Sequence, residues 1–180
     1  SYSAVQRHVR EWRLARAACA GGGYLELEWA PGTAQADYGN FEAVVAGKRL
    51  HLKLLVVCLP HSNARYAVAG MSQRSECMCA GLAEIFGWIG RAPCELVLDN
   101  ATEAGRRVRG EVTESQLFSL FRAHYRMGSR YCNPNSGNEK GSVENAVGFL
   151  RRNLLVPVPR VGSLDELNAL LRDGCDRLNA

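Results

Sequence analysis

The chain has 180 residues, 47% apolar and 22% charged, the balance of one ordinary globular domain rather than a disordered or fibrous chain. Its greasiest run, HLKLLVVCLP at 51–60, carries Lys53 and Pro60 and falls short of the ~20 residues a membrane span needs. The net charge of +4 is modest, so it neither names nor excludes a polyanionic partner until its placement is known.

Residues 1–18 read as a basic helix, and CAGGGYLELEWAPG then breaks the chain with three glycines and a Pro-Gly. No signal peptide is visible, and residues 1–30 are expected to be a linker or the tail of an upstream element in a longer protein. From Thr33 the pattern turns to strands. TAQADYGNFEAVV and KRLHLKLLVVCL flank Ala46-Gly47, a hairpin turn, and ARYAVAGM at 64–71 makes a third, antiparallel strand. In SECMCAGLAEIFGWIG, the residues Cys79, Leu82, Ile85, Phe86 and Ile89 recur at helical spacing, and CELVLD follows as a buried strand. The polar TEAGRRVRGE reads as loop, and Thr113 with Gln116 as a capping box ahead of Leu117, Leu120 and Phe121.

HYRMGSRYC is a further short strand, and CNPNSGN at 132–138 is turn chemistry. In EKGSVENAVGFLRRNLL, the residues Val143, Ala146, Val147, Leu150 and Leu154 form one apolar helical stripe, which Pro157 and Pro159 end. Ser163 and Glu166 cap a last amphipathic helix carrying Leu167, Leu170, Leu171 and Leu178. The expected organisation is a core over 31–160 and a C-terminal amphipathic helix over 161–180.

The seven cysteines are odd in number and scattered, without a CxxC pair. That pattern is neither a disulfide framework nor a zinc site, and it suits a reducing, cytoplasmic setting. The positive excess is local: residues 101–160 carry ten Lys/Arg against five Asp/Glu, whereas residues 1–100 carry ten against nine. A phosphate backbone is the natural partner of such a surface, although a merely solvated basic face has the same composition.

Three acids sit where local structure does not call for them. Asp37 lies inside a strand, where Asp is depleted. Asp99 ends a buried strand, and Glu144 lies one residue past the apolar stripe of its helix, on a face shared with Lys140, Gly148 and Arg151. Singly, they suit a bulge, a turn and an i, i+4 ion pair. Together, a sheet with adjacent first and fourth strands and a late helix crossing it would bring them to one place. Converging carboxylates repel unless a cation neutralises them. Mg²⁺ or Mn²⁺ suits oxygen-only ligands, and a two-ion site performs phosphoryl transfer without a protein nucleophile. The histidines at 8, 51, 61 and 124 form no recognisable triad, and AGGGY lacks the GK[ST] of a phosphate loop. Tyr38, Trp88 and Tyr131 read as core or rim aromatics, with Tyr131 the one candidate for base stacking.

The pieces QADYG, LVLDN and NPNSGNEKGSVENAVGFLRRNLL resemble the retroviral-integrase-type DDE core, and more narrowly the IstA-type insertion-sequence transposases. The resemblance runs over about residues 31–155. It implies an RNase H-like α/β fold, a five-stranded mixed sheet flanked by helices. It also implies that Asp37, Asp99 and Glu144 are catalytic carboxylates holding two Mg²⁺ or Mn²⁺ ions. Asn100, Lys140, Arg151 and Arg152 would lie near DNA, and the basic Arg106, Arg107 and Arg109 join them as candidate DNA contacts. The activity implied is 3′-end cleavage and strand transfer, by a homo-oligomer on transposon ends and target DNA. An upstream helix-turn-helix region, an AAA+ ATPase helper and a bacterial, nucleoid-associated location belong to the same resemblance. A nuclease or resolvase on this fold, or a non-catalytic DNA-binding module, are the alternatives. One departure stands out: 44 residues lie between Asp99 and Glu144, more than in the retroviral pattern, with the extra length assigned to NATEAGRRVRGEVTE.

Overall fold

A computed structural model describes residues 29–98, 104–108, 111–132 and 137–180. The chain enters through a long hairpin, β1 (Thr33–Val45) and β2 (Lys48–Leu59), paired antiparallel from Gln35↔Cys58 to Val45↔Lys48. The two-residue turn has positive φ at both positions, 49° at Ala46 and 79° at Gly47. Such a turn matches the right-handed twist of its flanking strands. β3 (Ala64–Gly70) continues the meander.

Helix α1 (Ser75–Ile89) buries Met78, Cys79, Leu82, Ile85 and Phe86. It returns the chain to β4 (Glu95–Leu98), which pairs parallel with the start of β1 from Thr33↔Glu95 to Ala36↔Leu98. A separate two-stranded hairpin follows, β5 (Gly105–Val108) with β6 (Glu111–Glu114). α2 (Gln116–Tyr125) then leads to β7 (Gly128–Tyr131), parallel to β4. α3 (Gly137–Leu154), β8 (Arg160–Val161) and α4 (Leu164–Asn179) complete the described chain.

The main sheet runs β3-β2-β1-β4-β7, the expected five mixed strands, with β8 added as a sixth beside Val44 and Val45 of β1. Strand alternation divides the core in two. Ala34, Ala36, Leu55 and Val57 face α1 and Phe118 of α2. Phe41, Ala43, Leu52, Leu54 and Val56 face α3 and α4. β2 is therefore buried on both faces, which explains its unbroken apolar run. Among the described residues no helix is long and apolar enough to cross a membrane.

Two local expectations are corrected. TEAGRRVRGE contributes β5 and the first residue of β6 rather than a loop. Such short strands carry too little periodicity to signal themselves. The cap of α2 is Ser115, whose hydroxyl accepts from Phe118 N–H at 3.2 Å, while Thr113 belongs to β6. The buried face of α2 is accordingly Phe118, with Phe121 and Tyr125 packed against Phe86, whereas Leu117 and Leu120 are exposed.

α4 follows its sequence pattern more closely. Ser163 Oγ accepts from Glu166 N–H, and Glu166 Oε2 accepts from Gly162 N–H at 2.6 Å. Leu167, Leu171 and Cys175 are fully buried, with Leu170 and Leu178 on the rim. The helix lies along the open edge of β3, where two asparagines imitate a neighbouring strand. Asn168 accepts from Ala69 N–H at 2.7 Å and donates to Ala69 C=O, and Asn179 does the same for Arg65 at 3.0 and 2.9 Å. Trp88 of α1 donates to Asp176 of α4 and lies under Arg172.

Candidate active site

Asp37 is half-buried on β1, opposite Val56 of β2. It lies on the strand face shared with Gly39, Phe41 and Ala43, the face that α3 covers. On the other side of β1, the parallel register with β4 ends at Ala36↔Leu98, so Asp37 is the next residue on its strand. Asp99 is the next residue after Leu98; it and Asn100 lie outside the described residues.

α3 comes very close to β1. A Cβ placed on Gly39 would lie 2.7 Å from Val147 Cγ1 and 3.9 Å from Arg151 Cδ, so only glycine admits the helix there. From this contact the chain proceeds to Arg160, which pairs with Val44. The helix therefore advances along β1 in the strand's own direction. Glu144 lies three residues before Val147, about 4.5 Å along a helix axis. Asp37 lies two residues before Gly39, about 6.6 Å along a strand. The exposed Glu144 thus precedes this contact on α3 as Asp37 precedes it on β1. Among the described residues no three His, Cys, Asp or Glu side chains gather as a metal cluster, and Asp99 is not among those residues.

The candidate DNA-binding residues fall into three groups. Arg151 and Arg152 are exposed and, with Phe41, Glu42, Gly148, Leu155, Val156 and Val158, line a groove of about 320 Å³ beside β1. Lys140 belongs to the first turn of α3 and Arg106 and Arg107 to β5 by their backbones, but their side chains are not described, and Arg109 lies outside the described residues. Other members of the basic excess are engaged within the fold. Arg122 binds Glu114, and Arg130 sits 3.6 Å from Glu95 and over the Trp29 ring.

Glu114 is the residue that sequence reasoning missed. Its carboxylate accepts from Ser129 Oγ at 2.6 Å, Tyr131 Oη at 2.9 Å and Arg122 Nε at 2.9 Å, with Arg122 Nη2 at 2.8 Å. Burial pushes this carboxyl up, but the three donors and the Arg122 charge outweigh it and hold it below the usual glutamate range. Burial and the hydrogen bond to Glu114 push the Tyr131 phenol far up. Tyr131 therefore ties β7 to the β5–β6 hairpin, a role that its place beside a turn-rich loop does not announce.

The remaining candidates have structural employment. His51 sits 3.3 Å from Glu42, His61 Nδ1 lies 3.3 Å from Trp29 C=O, and His124 packs edge-on against Tyr125. Tyr66 meets Trp88 edge to face. The described cysteines are free thiols, of which Cys94 is exposed.

No family model matches the chain. Curated relatives do. A transposase of Aminobacter aminovorans is 32% identical over 182 residues, covering 97% of this chain and 36% of the relative. The transposase for insertion sequences IS1326/IS1353 of Pseudomonas aeruginosa is 32% identical over 185 residues, 99% of this chain and 36% of the relative. The IS21 transposase of Pseudomonas aeruginosa is 30% identical over 138 residues, 76% of this chain and 35% of the relative. The chain thus spans about a third of the length of these relatives.

Among solved structures, the catalytic core domain of HTLV-2 integrase, determined in complex with magnesium, covers 78% of this chain and 82% of its own at 18% identity, with TM-score 0.54. The simian T-cell lymphotropic virus intasome in complex with PP2A regulatory subunit B56 gamma covers 83% of this chain and 50% of its own at 17% identity, with TM-score 0.59. The fold is thus the RNase H-like one of the integrase catalytic cores, and by sequence the chain belongs to the insertion-sequence transposases related to that of IS21.

Proposed function

We propose that this chain is the catalytic core of a DNA transposase, with Asp37, Asp99 and Glu144 as its metal-binding carboxylates. The observation that supports the reading is the packing at β1. Asp37 follows the last residue paired with β4, Asp99 follows that residue's partner Leu98 in sequence, and α3 packs on Gly39 through Val147, three residues after Glu144. The donors are oxygen-only, the set suited to Mg²⁺ or Mn²⁺ rather than to a thiolate- or imidazole-preferring metal. Two bound ions would neutralise the carboxylates, polarise the scissile phosphate and stabilise the attacking and leaving oxygens. In this reading Asp37 and Asp99 would hold one ion, and Glu144 with one of the two aspartates would hold the second.

The protein's own part is positioning. Lys140, Arg151 and Arg152 lie along α3, where cations would hold the phosphate backbone in register with the carboxylates. Asn100, Arg106, Arg107 and Arg109 would extend that contact on the β4–β6 side. Water first attacks at the 3′ transposon end, and the released 3′-OH then attacks target DNA, each step an in-line displacement at phosphorus. The fold neighbour determined in complex with magnesium supports the metal, and its dimeric form supports assembly of more than one copy. The AAA+ helper and a cytoplasmic, nucleoid-associated site of action complete the reading by resemblance.

The test is Asp37→Asn and Asp99→Asn in the full-length protein, assayed on labelled transposon-end DNA with Mg²⁺. Both variants are expected to fold, and to lose cleavage and joining together. Undiminished cleavage by either variant would refute the carboxylate assignment. Hydrolysis without joined product in the parent would instead make this a nuclease on the same fold.

A further inference from the structure

We infer that Gly39 and Gly174 form a two-point lock that sets the height and rotation of α3, and that Gly39 with Val147 is a positioning pair for Glu144. This rests on the proposed role of Asp37 and Glu144. Two apolar side chains of α3, Val147 and Leu154, are one heptad apart and so project from the same side, about 10.5 Å apart along the axis. Each is seated on a glycine of a different element. Val147 Cγ1 lies 2.7 Å from where a Gly39 Cβ would stand on β1, and Leu154 Cδ2 lies 2.5 Å from where a Gly174 Cβ would stand on α4. One contact alone would let the helix pivot, whereas two fix both its register and its phase.

The Gly39 contact is the stiffer. Val147 is β-branched, and a helical valine holds essentially one χ1 rotamer. A methyl group on Gly39 cannot be accommodated by turning the side chain, so the helix itself must move. Neither Gly39 nor Gly174 has positive φ. Alanine is therefore acceptable to the backbone at both positions, and the conflict is steric alone. The conflict at Gly39 falls two residues from Asp37 and one helical turn from Glu144, where a displacement near 1 Å is enough to cost on the order of 100-fold in rate.

A control exists on the opposite face of the sheet. A Cβ on Gly81 of α1 would lie 2.8 Å from Leu55 Cδ2, a clash with the end of a flexible side chain in the half of the core that does not contain α3. The experiment compares Gly39→Ala, Gly39→Ala/Val147→Ala, Gly81→Ala and Asp37→Asn in the full-length protein. Each is measured for thermal unfolding, for Mn²⁺ binding by calorimetry without DNA, and for 3′-end cleavage. Gly39→Ala is expected to weaken Mn²⁺ binding at least tenfold and cleavage about 100-fold, with both recovered to within a fewfold when Val147→Ala removes the clash. Gly81→Ala is expected to leave Mn²⁺ affinity and cleavage unchanged, whatever its effect on the unfolding temperature. If Gly39→Ala merely tracks Gly81→Ala, or Val147→Ala gives no rescue, the lock is refuted even where Asp37→Asn is inactive. If Asp37→Asn binds Mn²⁺ and cleaves like the parent, the carboxylate reading falls, and this one with it.

Discussion

Replacing Glu114 by Gln keeps the shape of the side chain and removes the charge on which four contacts converge. Hydrogen bonds to a charged group contribute about 1.5–3 kcal/mol each, and removing one partner of a buried ion pair costs about 3–5 kcal/mol. Arg122 is 29% exposed and recovers part of its hydration, and the glutamine oxygen still accepts one bond. The net loss is therefore expected near the lower end, about 2–3 kcal/mol. For a chain of this size that lowers the unfolding temperature by roughly 5–10 °C.

The same substitution has a pH signature. The folded carboxyl of Glu114 lies below its ordinary range, so its stabilisation is fully present above the unfolded-state value of about 4.3 and is lost as pH falls through the folded value. The gap between parent and Glu114→Gln should thus be constant near neutrality and close below about pH 4. Circular dichroism melts of both proteins from neutral to acid pH measure it. A melting temperature within about 1 °C of the parent at pH 7, or a gap unchanged in acid, would refute the account.

Two further outcomes follow from exposed arginines and buried thiols. Arg151→Ala and Arg152→Ala should weaken binding to DNA of any sequence, each lowering the slope of log K against log salt by about 1 if it contacts a phosphate; fluorescence anisotropy across a salt series reads this, and unchanged slopes would remove the pair from the DNA surface. Burial pushes the thiols of Cys58, Cys79 and Cys175 up to about 11, so at pH 8 a thiol reagent should label exposed Cys94 quickly and leave those three intact until denaturant is added. Mass spectrometry of the labelled peptides decides it, and rapid modification of Cys58 in the native protein would contradict the buried placement.

The parts of this fold legible in sequence are those written in local chemistry. Ala46-Gly47 announced its hairpin, the spacing of Cys79, Leu82, Ile85 and Phe86 announced the face of α1, and Ser163 with Glu166 announced the cap of α4. Asp37 and Glu144 stood out because each breaks the preference of its surroundings. What escaped was set by partners distant in sequence or by very short elements. Glu114 looks like any polar residue before a helix until Ser129 and Tyr131 arrive from β7. Among the described residues, the β5–β6 hairpin has four-residue strands that pair only with each other. The glycine at 39 gives no hint that a valine 108 positions later needs the space.

The asparagines of α4 bear on how copies of this chain can meet. A bare edge strand invites another strand to extend the sheet, and proteins that must stay discrete cover or blunt such edges. Here Asn168 and Asn179 occupy the outward N–H and C=O groups of Ala69 and Arg65, 114 residues apart in the second case. Sheet growth through β3 would first have to evict a helix whose Leu167, Leu171 and Cys175 are wholly buried. Any higher-order complex built from this core is thereby steered away from β3 strand addition, so its geometry can be set by helix and loop surfaces without competition from aggregation along that side.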